Sequence, residues 1–95
     1  MISIYDIFLG VKRKHQKTLD AIFAHPISGN IRWSDIEALL VALGAEIQER
    51  EGSRVAIIFP DKFPAVYHRP HPSPNTDKGA VASLKKWLDS MGFRS

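Results

Sequence analysis

Ninety-five residues with a formal charge of +3 suffice for one domain with a modest core, and exclude two. The chain has no cysteine, which excludes a disulfide framework and a Cys-based zinc site, and its 44% hydrophobic content argues against wholesale disorder. The small basic excess permits a phosphate-backbone partner without requiring one.

No apolar run approaches the ~20 residues that a membrane-spanning helix needs. At the start of the chain Asp6 precedes Lys12-Arg13-Lys14, the reverse of the charge order of a signal peptide. These features predict a cytoplasmic protein with no membrane contact.

Taken in chain order, Ile4, Ile7, Phe8 and Val11, then Leu19, Ile22 and Phe23, recur at helical spacing. Residues 3–24 therefore read as one or two helices, with Gly10 weakening their continuity. The cluster Lys12, Arg13, Lys14, His15 and Lys17 reads as a solvated helix face; the sharper alternative is an arm that touches phosphate. Pro26 and Ser28-Gly29-Asn30 end the segment.

Ser34-Asp35-Ile36-Glu37 has the form of a capping box and predicts a helix over residues 35–43. Ile36, Leu39, Leu40 and Leu43 line one face of it, and Gly44 supplies the stop. Three strand patterns follow, over residues 45–50, 54–59 and 65–68. Glu51-Gly52-Ser53 and Pro60-Asp61-Lys62 join them tightly, which favours an antiparallel meander. Glu46, Glu49 and Glu51 read as a solvated acidic edge.

Pro70, Pro72 and Pro74 make the next stretch an extended loop. Thr76 or Asp77 then caps a last helix over residues 78–91. Val81, Leu84, Leu88 and Met91 form its apolar stripe, Trp87 lies at the margin, and Lys85 and Lys86 point outward. The predicted class is α+β: an α-β-β-β-α sandwich with both helices on one sheet face and an added N-terminal helical segment.

The order Leu43-Gly44, Gly52-Ser53, His71-Pro72, Lys78-Gly79 and Gly92 resembles the HicA family of bacterial toxins. The resemblance covers about two-thirds of the chain, from Trp33 to Gly92. It implies a fold similar to a double-stranded-RNA-binding domain and endonucleolytic cleavage of messenger RNA without metal or cofactor. It also implies a HicB-like antitoxin that covers the active site in a hetero-oligomer. Residues 31–95 would form the HicA-like domain and residues 1–30 a helical extension.

The family usually carries a histidine directly after the glycine turn, where this chain has Arg54. Arginine stays protonated and cannot act as an ordinary general base, but it can hold a phosphate and stabilise its developing charge. Histidine titrates near neutral pH and can move the protons of ribose cleavage. His71, matching the family's His-Pro element, is the first candidate and His68 the second. Arg54, Arg69, Lys78 and Lys85 are the candidate RNA phosphate ligands. His68 and His71 lack a third ligand in the sequence pattern, so no metal site is expected. Without the resemblance, surface histidines on a non-catalytic RNA-binding module or an antitoxin-partner interaction domain would account for the same residues.

Overall fold

The computed structural model describes residues 12–94. Helix α1 spans Arg13–Phe23 and buries His15, Leu19 and Ile22 along one side. Arg13, Lys14, Gln16, Lys17 and Ala21, good helix formers, fill most of the other positions. The earlier part of the expected helical segment, with Ile4, Ile7 and Phe8, lies outside the described residues.

Strand β1 is short, Ile31–Arg32, and runs directly into helix α2, Trp33–Ala42. The helix thus starts two residues before the expected position, and the Ser34 capping box does not form. Arg32 occupies the cap without a side-chain bond. The reason lies downstream: β1 pairs antiparallel with Asn75–Thr76, and the Trp33 N–H donates to the Pro74 carbonyl at 3.0 Å. A backbone carbonyl from the proline-rich loop thereby satisfies one of the donors that a capping side chain would otherwise take. Ser34 falls inside the first turn instead.

Gly44, at φ +107°, closes α2. Its N–H donates to Val41 O at 3.0 Å and the Ala45 N–H to Leu40 O at 2.9 Å, the paired bonds of a Schellman exit.

The sheet consists of β2 (Glu46–Glu49), β3 (Arg54–Ile58) and β4 (Ala65–His68), in that spatial order and antiparallel throughout. This is the expected meander. Val55 and Ile57 are fully buried, with Ile47 and Tyr67 packed on the same cluster. Ile47 lies opposite Ile57 and Tyr67 opposite Val55, so these four share one face. Arg54, Ala56, Val66 and His68 project from the other face.

Strand β5 (Asn75–Thr76) precedes helix α3 (Lys78–Ser90). Asp77 is the cap, its Oδ1 accepting from the Ala80 N–H at 2.8 Å. Ile36, Leu39 and Leu40 of α2 and Val81, Leu84 and Leu88 of α3 join the cluster of Val55 and Ile57. Both helices therefore cover the same sheet face, giving the expected sandwich. Leu19 and Ile22 bring α1 into that same core, where α1 packs on α2 and α3. The ladder of β1 and β5 was not expected; two residues carry no periodic signal.

Thr76 is buried, and its hydroxyl has no hydrogen-bond partner. A buried unpaired hydroxyl opposes folding. Thr76→Val keeps the branched shape and removes that oxygen, and is expected to raise stability by ~1 kcal/mol. Equilibrium urea unfolding would read this as a higher midpoint; an unchanged or lower midpoint would show that the hydroxyl contributes to the fold.

Candidate functional site

Strand register sets the geometry of the candidate site. Arg54 opens β3 and lies directly opposite His68, the last residue of β4. The neighbouring Arg69 N–H donates to Ser53 O at 2.9 Å. That bond flanks the pair, so Arg54 and His68 stand at the non-hydrogen-bonded position, where facing Cβ atoms come within ~4.5–5.5 Å. Both residues are exposed on the sheet face opposite α2 and α3.

The turn before β3 orients the arginine. Gly52 and Ser53 both have positive φ, 68° and 63°. Glycine takes this conformation freely, whereas Ser53 adopts it against a Cβ penalty. The curled backbone presents the Glu51 carbonyl to Arg54 Nε, which donates to it at 2.9 Å. Among the described residues neither terminal guanidinium nitrogen of Arg54 is engaged by a carboxylate.

His71 lies in the loop between β4 and β5 and is exposed. Neither His68 nor His71 has a hydrogen-bond partner among the described residues. The register thus brings His68 to Arg54, while His71 follows three positions along the chain.

Arg69 has a different environment. Its Nε donates to Glu37 Oε2 at 2.8 Å and its Nη2 to Glu37 Oε1 at 3.2 Å. Its Nη1 donates to the Glu49 carboxylate, and the Trp33 indole N–H also donates to Glu37. The hydrogen bonds that the guanidinium donates to Glu37 first, then to Glu49, hold it above its already high ordinary pKa. Arg69, expected at phosphate, therefore ties β4 to α2 and β2. Glu49 is exposed, as expected of a solvated acidic edge, but it lies two residues from Ile47, on the same side of β2, where Arg69 meets it. That alternation was the signal available for it.

Arg69→Ala leaves Glu37 without its bidentate partner. The side chains are 35% and 20% exposed, so solvent screens part of the loss. A decrease in stability of ~1–2 kcal/mol is expected, read as a lower urea midpoint; no change would mean that solvent replaces the pair fully.

The two lysines lie elsewhere. Lys78 starts α3, and its aliphatic stem runs beside Gly29, where an added Cβ would meet it at 3.4 Å. Lys85 is half-buried on α3, with Nζ 3.1 Å from His25 Nε2. This helix covers the face opposite Arg54 and His68, so Lys85 does not join them. Tyr67 is half-buried against Trp33, ring centroids 5.9 Å apart, and its hydroxyl lies 3.1 Å from Ser83 Oγ. Burial raises its pKa. Among the described residues no three His, Asp or Glu side chains are arranged to hold a metal ion, and no helix is long and apolar enough to cross a membrane.

A family model described as the HicA toxin of bacterial toxin–antitoxin systems matches residues 33–93. The match runs from the first residue of α2 to just beyond Gly92 and leaves α1 outside. No curated protein and no solved structure matches the chain.

Proposed function

The chain belongs to the HicA family, the toxins of bacterial toxin–antitoxin systems, and from that premise we propose that it is a metal-independent endoribonuclease acting on messenger RNA. The family gives it a toxin role and an antitoxin partner. The finer reading rests above all on the facing pair Arg54 and His68. In it, residues 31–95 carry the site and residues 1–30 are an added helical segment.

Arg54 binds a non-bridging oxygen of the scissile phosphate and stabilises the charge of the pentavalent state. His68 accepts the proton of the ribose 2′-OH as the 2′-oxygen forms its bond to phosphorus. The bond from phosphorus to the 5′-oxygen breaks, and His71 supplies the proton to that leaving oxygen. The products are a 2′,3′-cyclic phosphate and a 5′-hydroxyl. Lys78 can bind RNA phosphate beyond the scissile one. The antitoxin, HicB-like on this reading, inhibits most simply by setting acidic groups over Arg54, His68 and His71.

One departure from the resemblance favours a second reading, in which the domain binds RNA or its antitoxin without cleaving: Arg54 follows the Gly52-Ser53 turn, where the resemblance implies a histidine. Incubating the purified protein with a long RNA in EDTA separates the two. Fragments ending in cyclic phosphate support the nuclease; intact RNA, with growth arrest also absent on expression, leaves the binding reading.

A further inference from the structure

Helix α1 lies outside the matched family region, and its cations take no part in the candidate site. Lys12, Arg13, Lys14 and Lys17 are all exposed at its first half. Arg32, exposed at the end of β1, stands nearby: Lys17 and Arg32 line one shallow groove between α1, β1 and α2. Lys14 and Lys17 line the adjoining one. Lys17 belongs to both, so Lys14, Lys17 and Arg32 form one continuous cationic track.

Among the described residues none of these cations makes an ion pair. Asp35 is the one carboxylate lining the grooves. Asp20, the acid on α1 itself, accepts a hydrogen bond from Gln16 at 3.0 Å. The remaining polar walls include Thr18 and Asn30, neutral groups suited to phosphate or sugar oxygens.

We infer that this track binds the phosphodiester backbone of a nucleic acid, giving α1 a substrate-holding role apart from the Arg54–His68 site. A protein partner would require apolar anchors at the centre of its footprint. The exposed large hydrophobics among the described residues are Val41, Phe63 and Val66, none of which lines either groove. Three unpaired cations against the single carboxylate of Asp35, with neutral polar groups between them, match a partner recognised through regularly spaced negative charge. The choice of RNA as that polyanion rests on the ribonuclease reading; the cationic track does not.

The test uses the full chain and a fluorescent 2′-O-methyl oligoribonucleotide, which lacks the attacking hydroxyl and stays intact. Anisotropy gives affinity as a function of sodium chloride for the parent and for a variant combining Lys14→Gln, Lys17→Gln and Arg32→Gln. Each lost phosphate contact lowers the slope of log affinity against log salt by ~0.7, so the variant is expected to fall by about 2. A second variant, combining Lys14→Arg and Lys17→Arg, is expected to keep the parental slope. Circular dichroism confirms that the exposed substitutions leave the fold intact.

An unchanged slope in the glutamine variant overturns the inference. So does an unchanged RNA slope accompanied by lost affinity for a polyglutamate peptide, which would assign the surface to an acidic protein segment. Cleavage of ordinary RNA is scored separately. A parent that does not cut, but whose slope falls by about 2 in the glutamine variant, loses the nuclease reading and keeps this surface; a parent that cuts with an unchanged variant slope does the reverse.

Discussion

His68→Ala is expected to slow RNA cleavage by ~10²–10⁴-fold without altering the circular dichroism spectrum. His68 sits at a strand end, exposed and outside the core, so its removal costs little stability. Its importance follows from Arg54, which stands directly opposite. On the proposed reading, a phosphate held by Arg54 would meet an imidazole from the facing strand position, and such positioning would lower the barrier further.

His71→Ala tests the second proton carrier and is expected to have an effect of the same order. Arg54→Ala removes phosphate binding and charge stabilisation together. Arg54→His restores the usual family residue and is expected to raise the rate. Single-turnover cleavage of a labelled RNA reads all four variants. If both histidine variants cut as fast as the parent, the assignment of acid and base fails.

The second large effect concerns the N-terminal helix. A chain starting at Asn30 contains the whole matched region yet lacks Leu19 and Ile22, both fully buried in the central cluster. Each such side chain contributes ~1.5–3 kcal/mol by burial, a large share of a typical total of ~5–15 kcal/mol. The shortened chain is expected to unfold at a much lower temperature or to lose its cooperative transition. Leu19→Ala in the full chain is the finer probe, with an expected loss of ~2–5 kcal/mol. Thermal unfolding followed by circular dichroism measures both. If the shortened chain is as stable as the parent, α1 rests on the domain without supporting it.

Much of the sandwich was legible because its signals are local. Leu39 and Leu40 repeat with the helix, Gly44 and Gly92 mark the exits, and Gly52-Ser53 separates two strand patterns. The start of α2 was misread because its cap depends on Pro74, far along the chain, which local spacing cannot reveal. The same limit hid the role of Arg69. Beside His68 in sequence it resembles a phosphate ligand, whereas Glu37 and Glu49 reach it through the fold. The candidate site was visible as residue types, with His71 ahead of His68. Only the register shows that His68 faces Arg54.

The pairing of β1 with β5 encloses the whole meander within a single loop of chain, and α1 meets α3 across the same span. The hairpins of the sheet are short-range and can form early, whereas closing this long loop carries an entropic cost before any contact repays it. Joining these distant segments is therefore the costliest loop closure in the fold. During synthesis α1 emerges before α3, and its Leu19 and Ile22 wait for Leu84 and Leu88 to arrive. Until then the core that α1 and α2 share lacks the cover of α3, and apolar surface left open in this way exposes a nascent chain to aggregation.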